Sequence, residues 1–317
     1  MKKLGIFATL SAMAAADQRL FLFDLVTPGS SVPTNLLGVT NASYYPAGPG
    51  MVTPFGMRQM NMRGREMRKR YITGASLLSP VANPQEYWAY AIDTERTYSS
   101  AVSYMTGFFP AGGPTLLVEN QTAIALPAIN VTHFSLINAT LNMQALPNNF
   151  QTVPIHGDAG NYNSTVFQGY DPTMCPIVGE IQMYNLATSN SDVNRTFGNY
   201  HTQLYKLFTT KGLVNLPPQA QMTIEDYRAI VQELLLNKLE LRYSPVNPQF
   251  SEPDMDLMNN FMNDYYNQFL FGNGTVVQLA ATDFINYMIM HFEQRAMHFG
   301  NYSNASAGLA FLKKQAY

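Results

Sequence analysis

The sequence predicts an α/β fold: a core sheet flanked by helices, with a helical cap inserted into it. Three observations carry this. The short apolar run Leu20 to Leu25 empties into Thr27-Pro28-Gly29, as a buried strand does at its carboxyl end. A second apolar run, Thr275 to Thr282, lies near the other end of the chain and also reads as a buried strand. Between them, from about Gly157 to Tyr265, the pattern is helical. Strand, helices, helical insertion and strand is the order of a layered core with a cap. The expected division is a leader over 1–16, a core made of 17–157 and 266–317, and a cap over 158–265.

After the first strand, a loop rich in Gly, Pro, Ser and Asn runs to about Met51. "TPFGMRQMNMRGREMRKRYI" then reads as a helix, with Thr53 as N-cap and Pro54 at the first helical position, where its missing N–H costs nothing. The basic cluster Arg63, Arg65, Arg68, Lys69 and Arg70 reads as its solvated face. A second helix is expected over Glu95 to Gly107, and a strand over Phe150 to His156. Within the helical stretch, "YHTQLYKLFTTKG" stops at Gly212. "TIEDYRAIVQELLLNKLELRY" opens with Thr223 and with Asp226 three residues on, close to a capping box. Gly272-Asn273-Gly274 is a turn signal.

Composition excludes several classes. The chain has 317 residues, 46% of them hydrophobic and only 13% charged, against roughly 25% charged in ordinary soluble domains. So thinly charged a surface is expected to be covered in part, by glycans or by neighbouring subunits. A formal charge of -2 gives no reason to expect nucleic acid. Cys175 is the single cysteine, so no internal disulfide can form, and in "DPTMCPIV" it reads as an inert thiol. Apart from the leader, no run approaches the ~18 apolar residues that span a bilayer. The leader itself, "MKKLGIFATLSAMAAADQ", fits two addresses: Ala14-Ala15-Ala16 satisfies a secretory cleavage pattern, and the basic, acid-free run fits a mitochondrial one. Sequons begin at Asn41, Asn120, Asn130, Asn138, Asn163, Asn194, Asn273, Asn301 and Asn304, and would carry glycans if the chain is secreted.

Other chemical signals are weak. His291 and His298 lie two helical turns apart beside Glu293, short of the three or four convergent ligands a metal needs. Asp254 and Asp256 read as acids at a helix N-terminus. His133, His156 and His201 are not near a nucleophile in any triad setting. No metal or cofactor is expected.

Four stretches taken in order resemble the histidine acid phosphatases, the capped branch of the histidine phosphatase superfamily. In "TPFGMRQMNMRGREMRKRY", Gly56, Gln59, Gly64, Arg68 and Tyr71 fall where the family's motif residues fall. "AIDTERTYSSAVSYMTGFFP" is similar to its "STDxDRTxxSA…GLFP" segment and places Arg96 on a phosphate-binding arginine. "FQTVPIH" is similar to "WQPxPVH", and "MCP" to the Cys-Pro that follows it. "GPTLLVENQTAIALP" resembles protist members. The likeness runs over roughly 20–290 and implies a sheet core with an inserted helical cap.

The resemblance also implies where catalytic groups should stand. The family's "RHGxRxP" loop carries the nucleophilic histidine and two phosphate-binding arginines. Here it reads "LFDLVTP": Leu22 and Val26 replace the arginines, Phe23 the histidine and Asp24 the glycine. The family's "SAHDT" reads "AATDF", so Thr282 replaces the phosphate-contacting histidine while Asp283 stands where the proton donor stands. A phenyl ring forms no phosphoenzyme, and leucine and valine pair with no phosphate oxygen. Arg96 and Asp283 alone leave one cation, one acid and no nucleophile. An inactive site is therefore expected. The family continues well beyond its His-Asp motif, so an early end at Tyr317 implies a shortened sheet edge that a partner would cover.

Three functions follow as expectations. The first is an inactive structural or accessory subunit of a larger protein assembly, at the intermembrane-space side of the mitochondrial inner membrane. A leader kept from Met1 and the lack of any internal disulfide lean this way. The second is a secreted or surface glycoprotein that binds or polymerises, and the third, least supported, is an active acid phosphatase.

Overall fold

A computed structural model describes residues 22–33, 43, 45–113, 116–118, 121–125, 140–157, 166, 169–187, 192–213, 216–240 and 250–299. The first long element is α1 (Pro54–Arg68), continued by a π-helical turn over Lys69–Gly74. As expected, Thr53 caps it: its Oγ1 accepts the Gly56 N–H at 3.1 Å, and Pro54 opens the helix. Helix α2 (Glu95–Phe108) starts the same way at Thr94, whose side chain accepts the Thr97 N–H. Two glycines decide how these helices meet. A Cβ on Gly64 would lie 2.0 Å from the Tyr104 carbonyl oxygen, and one on Gly107 would lie 2.0 Å from that of Asn61. The backbones therefore touch along this seam, and Asn61 Nδ2 donates across it to the Ser103 carbonyl. Phe108, Phe109, Met105 and Ile72 close the core beneath.

Four more helices follow: α3 (Pro176–Ala187), α4 (Asp192–Thr210), α5 (Ile224–Leu239) and α6 (Glu252–Asp264), the last continued by a π-helical turn over Tyr265–Leu270. Helix α4 ends at Gly212, which takes φ +74°, a conformation glycine adopts without strain. Thr223 with Asp226 and Ser251 with Asp254 form complete capping boxes for α5 and α6. Leu204, Phe208, Tyr227, Ile230, Met258 and Phe261 are buried between α4, α5 and α6. The carboxyl end of α5 reaches the start of the chain. Tyr45 OH donates to Asn237 Oδ1 at 2.7 Å, Leu236 packs with Val32 and Tyr45, and Ser30 Oγ donates to Glu240 Oε1 at 2.7 Å.

The β structure departs from expectation. Among the described residues no strand ladder forms, and pairing is limited to three isolated bridges. One of them lies in the expected strand Phe150 to His156: a parallel bridge joins Tyr90 and His156, with the Ala91 and His156 N–H groups each donating at 2.8 Å. Residues 22–25 are extended loop rather than strand. Thr275 to Thr282 lies inside a 26-residue helix, α7 (Gly274–Phe299). Asn273 Oδ1 accepts the Thr275 N–H at 2.8 Å and starts this helix, and Thr282 Oγ1 donates back to the Gln278 carbonyl. A short apolar run carries no period that separates a strand from a buried helix, so the local cap decides.

Gly64→Ala is expected to lower unfolding stability by about 1–3 kcal/mol or more, because backbone on both sides of the seam must part. Gly198, exposed inside α4 with nothing within 4 Å of its Cβ position, gives the opposite sign. Gly198→Ala is expected to gain about 0.5–1 kcal/mol. Urea midpoints of the two variants check both.

Candidate functional site

The loop expected to be catalytic is stitched to α1 and α2. Its residue Asp24 sits between the two helices: Arg63 Nη2 of α1 approaches Asp24 Oδ1 at 3.2 Å, and Tyr104 OH of α2 donates to Oδ2 at 2.7 Å. Further along, the Gly29 N–H donates to Ser100 Oγ at 3.2 Å and the Ser30 N–H to Gln59 Oε1 at 3.1 Å. The Cβ position of Gly29 is 2.4 Å from the Gly56 carbonyl oxygen, so loop backbone lies directly on the first turn of α1. Its later residues also pair backbone to backbone, the Thr53 N–H donating to the Ser30 carbonyl and the Val32 N–H to that of Met51, both at 2.9 Å, so side chains and a short bridge hold the segment together.

Phe23, which the resemblance sets against the family's nucleophile, is half-buried and meets the ring of Phe284 edge-on, with centroids 6.0 Å apart. Leu22 and Val26 are half-buried beside it in sequence. Edge-to-face aromatic pairs of this kind are worth about 0.5–1.5 kcal/mol beyond the area they bury. The structure therefore does bring the two halves of the expected site together, through Phe23 and the residue after Asp283. Thr282 and Asp283 themselves are exposed on α7.

Arg96 is half-buried in the first turn of α2. Its charge reaches Tyr170, whose hydroxyl is pushed up by burial and by Asp171 while Arg96 opposes the shift. Among the described residues, no ion pair joins Arg96 to Asp283. One cation and one exposed acid can attract an anion weakly, and the side chains of Leu22, Phe23 and Val26 cannot themselves form a phosphoenzyme.

The remaining candidates have structural surroundings. His156 stacks on Trp88 with centroids 3.5 Å apart, and His291 lies against Tyr287 at 4.4 Å. His201 Nε2 is 3.0 Å from the Gln219 carbonyl, and Asp254 caps α6 and pairs with Lys211 at 3.0 Å. Asp256 is exposed. No cluster of three metal-ligating side chains occurs among the described residues. His133, the His298 side chain and the sequons at Asn41, Asn120, Asn130, Asn138, Asn163, Asn301 and Asn304 lie outside those residues. Asn194 lies in α4, and Asn273 is spent on capping α7. No described helix is long and apolar enough to cross a membrane.

The tie of Asp24 to Arg63 and Tyr104 was not expected from the sequence; its one visible signal was an acid at the family's glycine position. It makes stability depend on alkaline pH. Burial, then the adjacent Asp24 charge, pushes the Tyr104 hydroxyl far above its ordinary value of 10.0, and burial pushes Tyr227 up to about 12. Above pH ~10 the unfolded chain loses these protons while the folded chain keeps them. Unfolding free energy is therefore expected to be level below pH ~10 and to fall as pH rises beyond it, by at most about 1.4 kcal/mol per pH unit for each such tyrosine. Tyr104→Phe is expected to flatten part of that fall, and urea unfolding between pH 8 and about 11 checks it.

Comparison with known proteins bears on the same residues. A family model described as "Histidine phosphatase superfamily (branch 2)" matches residues 7–312. Testicular acid phosphatase of Mus musculus is 26% identical over 139 residues, covering 44% of this chain and 32% of that protein. Lysosomal acid phosphatase of Xenopus laevis is 32% identical over 137 residues, covering 39% of this chain and 30% of that protein. The match thus spans about a third of the length of these curated relatives. Among solved structures, the phytase of Klebsiella sp ASR1 superposes with a TM-score of 0.51 at 13% identity, over 83% of this chain and 63% of that one, a likeness of fold. With a match from 7 to 312 and the fold to accompany it, the chain belongs to branch 2 of the histidine phosphatase superfamily.

Proposed function

We propose that this chain is a catalytically inactive member of its superfamily that serves as an accessory subunit of a larger protein assembly. The observation that carries the reading is the aromatic contact of Phe23 with Phe284, which fills the nucleophile's position with a ring that cannot accept phosphorus. Leu22, Val26 and Thr282 offer nothing to neutralise charge on transferred oxygens, the main task in phosphoryl transfer. An assembly role is supported by what the surface leaves uncovered. Val118, Ile124 and Met183 are each more than 60% exposed and Trp88 is 59% exposed, on a chain only 13% charged.

In this reading the core of 17–157 and 266–317 carries the superfamily's sheet, and 158–265 forms its cap. The partners are protein subunits, and the assembly is a respiratory complex at the intermembrane-space side of the mitochondrial inner membrane. The acid phosphatase names of the relatives favour a second reading, in which the chain still hydrolyses phosphate esters.

Hydrolysis of p-nitrophenyl phosphate between pH 4 and about 7 separates the two. The purified chain is expected to give no turnover above buffer and no phosphohistidine. Turnover that disappears in Arg96→Ala and Asp283→Asn would establish the second reading. Native gel electrophoresis of source membranes tests the role itself: the chain is expected to migrate with a large complex. Migration as a free monomer that shifts on endoglycosidase treatment would contradict it.

A further inference from the structure

We propose that the outer face of α1 is a docking surface for an anionic lipid membrane. Six of the nineteen lysines and arginines fall between Arg58 and Arg70, with Glu66 as the single acid among them. The structure sorts these cations. Arg63 and Arg68 turn inward, to Asp24 and to the carbonyl oxygens of Pro80 and Phe108. Arg58, Arg65, Lys69 and Arg70 are exposed. Four cations less Glu66 leave this face at +3, on a chain whose formal total is -2.

Helical geometry arranges them around an apolar line. At 100° per residue, Phe55 and Met62 fall within ~20° of one meridian, with Arg58, Arg65 and Lys69 on one flank and Arg70 on the other. Met62 is 64% exposed and Phe55 42% exposed. Arg65 Nε is tethered to Asn61 Oδ1 at 2.9 Å, which keeps it on its flank, while Arg70 spans to Glu66 at 2.8 Å. Phenylalanine and methionine flanked by cations along a helix are the features of an interfacial helix, with apolar groups at the acyl boundary and cations among anionic headgroups. Because the rest of the chain carries net negative charge, the same field would orient the molecule with α1 toward the lipid. This surface does not depend on whether the chain catalyses, so it stands or falls separately from the proposed role.

The test is co-sedimentation of the full chain with vesicles of phosphatidylcholine alone and of phosphatidylcholine containing roughly 30% phosphatidylserine. Binding is expected to the anionic vesicles at least about tenfold more tightly than to neutral ones, and to weaken as salt rises from 0.1 to about 0.5 M. Each cation near such a surface contributes roughly fivefold, so Arg58→Glu with Lys69→Glu is expected to cost more than about 100-fold. Met62→Asp, which keeps every cation, is expected to weaken binding too. All three residues are exposed, and far-UV circular dichroism checks that each variant keeps its fold. Equal binding to both vesicles, binding to neither, or indifference to the double reversal would overturn the proposal. Capture by soluble heparin without any vesicle binding would overturn it as well, in favour of a free polyanion.

Discussion

The carboxylate of Asp24 ties the loop over 22–30 to both α1 and α2. It belongs to a loop with no ladder partner, and it ends between a guanidinium of α1 and a hydroxyl of α2. Those helices already touch through Gly64 and Gly107, so the position of both donors is set before the loop arrives. A half-buried acceptor with two donors is costly to remove, since each donor would be left without its partner. Tyr104 responds to the arrangement most strongly, because burial and the neighbouring negative charge both disfavour its ionised form. Phe23, one residue earlier, is then placed against Phe284 of α7. Six residues beyond Asp24, the same loop meets the end of α5 through Ser30 and Glu240.

This role sits poorly with phosphoryl chemistry at the same loop. A phosphate site needs converging cations and a nucleophile in a polar, preorganised setting. The resemblance sets Asp24 against the family's glycine, and its carboxylate takes up the guanidinium of Arg63. Fold and chemistry separate in this way because the packing of a fold and the groups that act on its surface answer to different constraints. Arg96 illustrates it: the arginine stays in the first turn of α2, and its field falls on Tyr170.

Much of the helical architecture was legible in the sequence because cap chemistry is local. Thr53 with Pro54, Thr223 with Asp226 and Gly212 each announce a helix end through groups three residues away or less, and each is where the structure places one. The residues of the run Thr275 to Thr282 suit a strand and a buried helix alike; Asn273, two positions before the run, starts the helix. The replaced positions Leu22, Phe23, Val26 and Thr282 were visible through resemblance to the family rather than through any pattern of their own. The partners of Asp24 were not visible at all. They lie 39 and 80 residues away and are defined by helix packing that no local signal carries.

We propose that the Leu22–Val26 loop serves packing and receives no phosphoryl group. The most direct measurement is isothermal titration of the intact chain with orthovanadate, which imitates the five-coordinate phosphorus of the transferred group. No saturable heat is expected at concentrations up to about 1 mM, since Leu22, Phe23 and Val26 offer no charge to offset the cost of desolvating an oxyanion. Saturable binding in the micromolar range that is lost in Arg96→Ala would contradict it.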